Sequence, residues 1–142
     1  MNNKLRIAAL ALAALLVGAQ LIPIDRGNPL VESDLEAPPE LKSILHRACY
    51  DCHSNETVWP WYARIAPVSW LVAYDVREGR EDLNFSSWRR LDAQARAKAL
   101  REIWETVEEG EMPPFYYVPL HPEARLSASE RETLRAWTSA RP

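Results

Sequence analysis

Cys49-Tyr50-Asp51-Cys52-His53 is the stretch whose reading decides this chain. The C-x-x-C-H spacing is the sequence mark of c-type haem attachment. Two thiols add across the two porphyrin vinyl groups, and two intervening residues let both sulfurs reach one edge of the ring. The histidine after the second cysteine can then turn its imidazole under the iron as proximal ligand. His with Met is the axial pair of cytochromes c, and the thioether raises the reduction potential. The chain has two methionines, Met1 and Met112. In a His/Met site Met112 is therefore the thioether ligand, and the expected iron ligands are His53 and Met112.

Other readings of the cysteine pair stay open. A thioredoxin-like C-x-x-C is expected beside a βαβ pattern, and nothing here alternates strand with helix. A structural zinc site wants four ligands; His46, Cys49, Cys52 and His53 supply them on paper, but within eight residues they leave no separate knuckle to wrap a metal. A plain disulfide suits an exported protein and leaves His53 unexplained. For the distal position His121 is the rival to Met112, giving a bis-His haem.

The N-terminus supplies an independent sign. Lys4 and Arg6 precede an uncharged, almost wholly apolar run from Ile7 to Ile24, the order of an export signal. Val17-Gly18-Ala19 offers small residues for cleavage before Gln20. The run also approaches the lower limit of a membrane span, about 17 residues. Cleaved signal peptide and retained anchor are both consistent with it, and the anchor is preferred. The expected organisation is a signal anchor or signal peptide over 1–24, a tether over 25–39 and a haem-binding domain over 40–142. The domain is expected on the periplasmic side of the bacterial cytoplasmic membrane, with the basic end inside; soluble periplasmic protein after cleavage is the alternative.

Composition bounds the rest. At 142 residues there is room for one domain and a targeting segment. The formal charge is −3, and without Lys4 and Arg6 it becomes −5, with 15 basic against 20 acidic side chains. That is no footprint for nucleic acid, and it weakly favours a basic protein partner. No nucleophile–base pair or glycine-rich phosphate loop stands out, so side chains alone do not indicate an enzyme.

The expected fold class is all-α, a cytochrome c-like domain around one covalent haem. Pro38-Pro39 open a helix, since proline is tolerated in a first turn; its apolar side is Leu41, Ile44, Leu45 and Ala48, and it delivers Cys49 at its end. Asn55–Pro60 reads as loop. A helix after Pro67 is predicted to carry Trp70, Leu71 and Tyr74 on its apolar face and to end by Gly79. Asp92 caps a third, with a stripe of Ala95, Ala99, Ile103, Trp104 and Val107 and Gly110 as its C′ glycine. Ser127-Ala128-Ser129-Glu130 is a capping box for a last helix presenting Leu134 and Trp137. The first and last of these helices are expected to cross beside the haem edge, and Pro113-Pro114 to stiffen the Met112 loop. Trp59, Trp61, Tyr62 and Arg64 are candidate donors to haem propionates or ordinary packing residues. His46 reads as a surface helix residue, and Asp75, Arg77, Glu78, Arg80, Glu81 and Asp82 as a solvated face. Tyr116 and Tyr117 either wall the distal pocket or pack the loop.

The run Cys49-Tyr-Asp-Cys-His-Ser-Asn-Glu-Thr-Val-Trp-Pro-Trp-Tyr62, with Ala66-Pro-Val-Ser-Trp70, Val76-Arg-Glu-Gly-Arg80, Leu83-Asn-Phe85, Gly110-Glu-Met-Pro-Pro114 and His121-Pro-Glu-Ala-Arg-Leu126, resembles the bacterial haem-binding domain family. The resemblance covers roughly residues 20 to 138. It implies a cytochrome c-like fold, an exported or membrane-anchored chain, and one haem c. It further implies Cys49 and Cys52 as thioether anchors, His53 as proximal ligand and Met112 as distal ligand. It names no substrate and no redox partner. The expected function is a monohaem c-type cytochrome passing single electrons. The alternatives are a haem-based sensor or peroxidase-like protein with an open distal site, and a non-haem interaction domain with a Cys49–Cys52 disulfide.

Overall fold

A computed structural model describes residues 2–140. Among these the regular structure is helical: α1 (Asn3–Ala19), α2 (Pro39–Ala48), the single turn α3 (Tyr50–His53), α4 (Val68–Asp82), α5 (Ala93–Glu109) and α6 (Ala128–Ser139), with 3₁₀ turns at Trp61–Arg64, Trp88–Arg90 and Pro122–Ala124. The only pairing of extended backbone among them is an isolated bridge between Ser33 and Ser87.

Helix ends follow the signals in the chain. The Asp92 carboxylate accepts from the Ala95 amide at 2.8 Å, and Gly110 closes α5 in the left-handed region at φ 80°, which glycine enters without the Cβ clash. At α6 both halves of the capping box form, the Ser127 hydroxyl meeting the Glu130 amide and the Glu130 carboxylate the Ser127 amide. Leu41, Ile44, Leu45 and Ala48 are all buried, as the spacing requires. They join Leu35, Tyr50, Phe85, Trp88, Leu100, Ile103, Leu134 and Trp137 in a core between α2, α5 and α6. The Arg47 guanidinium ties α2 to α6, donating to the Glu130 carboxylate and the Glu123 carbonyl.

Two expectations are corrected. α4 does not end at Gly79 but runs to Asp82, and its inward face is Ser69, Val76 and Gly79. Trp70, Leu71 and Tyr74, expected to be its apolar face toward the core, are exposed. The reason is close packing: a Cβ at Gly79 would lie 2.8 Å from the Cys52 carbonyl oxygen, so small residues set which side of α4 meets α3.

The second correction concerns 25–39, expected as a tether. It is extended but lashed to the domain. The Arg80 guanidinium donates to Gly27 O and Asn28 Oδ1, Asn55 Nδ2 donates to Leu30 O, and the amides of Glu32 and Ser33 donate to Ser86 O. Leu35 is in the core. These bonds go largely to backbone, which leaves no trace in the side-chain pattern. The apolar run Ile7–Ile24 is helical only as far as Ala19, where α1 stops after 17 residues. Among the described residues no helix is long and apolar enough to cross a membrane. No residue of α1 is buried.

Candidate functional site

Cys49 ends α2 and opens α3, so the whole C-x-x-C-H run is one tight turn at a helix junction. The amides of Cys52 and His53 both donate to the Cys49 carbonyl, at 3.2 and 2.9 Å. Around this turn, side chains satisfy the backbone. The Ser54 hydroxyl donates to Tyr50 O and Thr57 Oγ1 to Asp51 O, while Asp51 Oδ1 accepts from the Val58 amide. The Arg80 guanidinium reaches Ser54 O at 2.8 Å and Thr57 Oγ1 at 2.8 Å. Behind the turn the Tyr50 ring stacks on Phe85, and its hydroxyl donates to Asp34 at 2.6 Å.

The His53 imidazole is fixed through one nitrogen. Its Nδ1 lies 2.8 Å from Gly79 O and 3.2 Å from Leu83 O. A carbonyl accepts, so Nδ1 carries the proton and Nε2 keeps its lone pair. Burial holds the imidazole below its ordinary pKa, against the pull of the two carbonyls, which keeps it neutral and able to bind a metal. A backbone acceptor behind a ligating histidine fixes tautomer and ring orientation together.

Two cavities adjoin this ring. The larger, about 400 Å³, is walled by Ala99, Ile103 and Val107 of α5 together with Leu83 and Phe85. The smaller, about 150 Å³, is walled by Cys52, Gly79, Pro114, Tyr116 and Tyr117. Cys49, His53 and Met112 line both. Burial pushes each cysteine thiol up to about 12. Both cysteines are unpaired thiols, protonated at neutral pH, and so lack the thiolate character of a redox C-x-x-C. Among the described residues no group of three His, Cys, Asp or Glu side chains is placed to hold a metal ion; His46 is exposed and stacks on Tyr50.

Met112 leaves α5 just after Gly110, and the amides of Glu111 and Met112 both donate to Thr106 O, at 2.9 and 3.1 Å. The Met112 side chain is 37% exposed. His121 lines neither cavity. It is stacked at 4.0 Å on Tyr117, with Nε2 2.6 Å from the Tyr62 hydroxyl and Nδ1 3.2 Å from Glu123. Both its nitrogens are engaged. Tyr117 and Tyr116 wall the smaller cavity, donating to Asp51 at 2.8 Å and Asp75 at 3.3 Å. Trp59, Trp61, Tyr62 and Arg64 line neither cavity, and α6 contributes nothing to them. The last helix crosses α2 away from the site, and α5 supplies the wall instead.

Sequence reasoning missed the Gly79 and Leu83 carbonyls. A backbone acceptor has no residue signature, and Gly79 read as a helix stop. The wall residues Thr106 and Glu102 were missed because polar positions at the edge of an apolar stripe look like solvated surface.

The residues fit a haem: a largely apolar larger cavity, two thiols three residues apart lining the smaller one, a neutral imidazole with one free nitrogen, and a thioether in the same walls. The haem-binding domain family matches residues 14–140. Over 97 residues the chain is 28% identical to the cytochrome c peroxidase Ccp of Escherichia coli (strain K12), a match covering 66% of this chain and 21% of that protein. The chain thus matches about a fifth of that relative's length. No solved structure matches it. The chain belongs to the haem-binding domain family, and haem is its cofactor.

Proposed function

We propose that this member of the haem-binding domain family is a monohaem c-type cytochrome that passes single electrons at the periplasmic face of the cytoplasmic membrane. Cys49 and Cys52 hold the haem through two thioethers, each thiol hydrogen and sulfur adding across one vinyl double bond. His53 Nε2 is the proximal ligand and Met112 the distal one. When bound, the haem supplies a one-electron ferric/ferrous couple. The residues of the chain set its surroundings. Gly79 and Leu83 keep the His53 ring in one tautomer, Phe85 and Ile103 exclude water from the larger cavity, and the Thr106 carbonyl holds the start of the Met112 loop. A methionine sulfur favours the ferrous state and raises the potential.

The observation that carries this reading is the bonded His53 Nδ1, which leaves Nε2 free in cavities that Met112 also lines. His121, with both ring nitrogens engaged, is a poor competitor. The localisation rests on Lys4 and Arg6 before the apolar run Ile7–Ile24, which no part of the core buries along α1 and which the reading uses as the N-terminal anchor.

A second reading has its own support. The similarity to a cytochrome c peroxidase and the exposure of Met112 both suit a peroxidase-like or sensing haem whose distal ligand comes off. One set of spectra separates the two. Protein matured with the c-type attachment machinery should give a haem-stained band on a denaturing gel, lost in Cys49→Ala/Cys52→Ala. Its ferric form should show the weak far-red band of an iron–thioether bond, lost in Met112→Ala, and its ferrous form should not take up carbon monoxide rapidly. Rapid uptake by the wild-type protein would replace electron transfer with the peroxidase-like reading. A haem band that survives removal of both cysteines would end the c-type assignment.

A further inference from the structure

The apolar side of α4 that the core does not use lies beside the foot of α1. Trp70, Leu71 and Tyr74 are exposed on the side away from the buried Ser69, Val76 and Gly79, and Trp61, Ile65 and Val68, just before and at the start of the helix, are exposed too. Gln20, just past α1, fastens that helix here. Its side-chain amide donates to Ala66 O at 3.2 Å and its carbonyl accepts from the Ala66 amide at 3.0 Å. Ile22, Pro23 and Ile24 then run along α4, forming with Trp70 and Tyr74 a groove of about 530 Å³. Trp59 also lines the groove, and its buried indole Nε1–H has no acceptor.

Charge marks this face off from the rest of the molecule. In a chain with 20 acidic residues, positions 59–74 carry one charge, the exposed Arg64. The acidic side chains of α4 begin only at Asp75. Apolar and aromatic residues therefore fill the first half of α4 and charge begins with Asp75, although Asp25, Arg77, Arg80 and Glu81 also line the groove. A bilayer interface has the same grading. Tryptophan and tyrosine settle at the headgroup level, and cationic side chains near it meet anionic lipid.

We propose that this face, centred on Trp61, Trp70, Leu71 and Tyr74, docks the domain onto an anionic phospholipid bilayer. It rests on the reading of α1 as a membrane anchor and deepens it: the domain lies against the lipid rather than hanging from a tether. The exposed Arg64 meets the anionic lipid phosphates. The structure makes the linkage short, since the two Gln20 bonds leave no slack between α1 and this face.

The test uses the full haem-loaded chain and vesicles of phosphatidylethanolamine with phosphatidylglycerol, with and without brominated acyl chains. Bromolipid should quench tryptophan emission in the wild-type protein. Trp61→Phe/Trp70→Phe should still bind through α1 yet lose most of that quenching, and Leu71→Asp should partition about tenfold less well. Both variants alter exposed positions and should keep the wild-type haem spectrum. If the chain binds vesicles but the double variant is quenched as much as wild type, α1 anchors the protein and this face does not touch lipid. Sedimentation showing a dimer with that result would assign the face to a second copy, which also overturns the proposal. If the chain does not bind vesicles at all, the membrane reading of α1 falls as well.

Discussion

On the His53 side of the cavities almost every polar atom is held twice. The imidazole meets two carbonyls, the turn that carries it is braced by Ser54, Thr57 and Arg80, and the Phe85 amide donates to His53 O at 2.8 Å. On the Met112 side the loop begins with two amides sharing the one Thr106 carbonyl, and its Tyr116 and Tyr117 hydroxyls reach back to Asp75 and Asp51. Phe115, just before them, stands 84% exposed. One side is a buried scaffold and the other a partly exposed flap anchored at a few points. Opening costs follow local burial and bonding, so the Met112 loop should open more readily than the His53 turn. The family assignment fixes the haem, and this asymmetry locates the remaining functional question on the Met112 loop.

Arg80 offers the largest way to break the contrast. One guanidinium joins the turn after His53 to the 25–39 strap through Ser54 O, Thr57 Oγ1, Gly27 O and Asn28 Oδ1. Arg80→Met keeps the stem and strands those acceptors, for an expected loss of about 3 kcal/mol, measured by denaturant unfolding of the haem-loaded protein. The strap should become sensitive to protease while the Met112 loop is unchanged. Equal exposure of both regions would show that they unfold as one unit and that the two-sided picture is mistaken.

The glycines sharpen the same point at lower cost. Gly79 is needed for space, since its added Cβ meets the Cys52 carbonyl oxygen at 2.8 Å. Gly110 is needed for its φ of 80°, with nothing within 4 Å of an added Cβ. Gly79→Ala should destabilise by about 2 kcal/mol through overpacking and, by moving the carbonyl that holds His53, shift the reduction potential. Gly110→Ala should cost about 1 kcal/mol. Its effect should fall on the loop, weakening the far-red thioether band without altering the proximal side. A potential unmoved by Gly79→Ala would mean that Leu83 O alone fixes the ring.

The legibility of the chain divides along these lines. Capping by Asp92 and Ser127, the left-handed Gly110 and the buried stripe of α2 were readable because each is a side-chain or φ requirement at a fixed offset. Cys49, His53 and Met112, which the motif and the lone internal methionine single out, line the same two cavities. The strap was not readable, because Ser86, Asn55 and Arg80 hold it mainly by its backbone. Nor was the face of α4. Hydrophobic periodicity points Trp70, Leu71 and Tyr74 inward, but α3 approaches so closely that only Ser69, Val76 and Gly79 fit there. A pattern of apolar residues predicts which side of a helix leaves water, and gives no information on whether protein or another apolar medium receives it.

The smallest expected effect concerns the rear of the Cys49–His53 turn, and its size depends on pH. Asp34 accepts from the Tyr50 hydroxyl at 2.6 Å and pairs with Lys42. Burial alone would raise its carboxyl, but the Lys42 ammonium and the Tyr50 and Leu35 donors outweigh it and hold the group below its ordinary value of 3.8. A carboxyl depressed in the folded state gives up its proton more readily there than in the unfolded chain. Its contribution is thus complete above the unfolded value and disappears as pH falls through the folded one. Asp34→Asn should therefore be less stable than wild type at neutral pH, and the gap should begin to shrink as pH falls below about 4. The Tyr50 hydroxyl keeps the amide oxygen as acceptor, so the gap at neutral pH should shrink in high salt as the Lys42 pairing is screened. Parallel urea titrations at pH 7 and pH 3, each at low and high salt, measure all of this. A gap undiminished at pH 3 would mean that Asp34 acts through packing rather than charge. The strap would then brace Tyr50 by shape alone, and the scaffold side would owe less to its polar bonds than its structure implies.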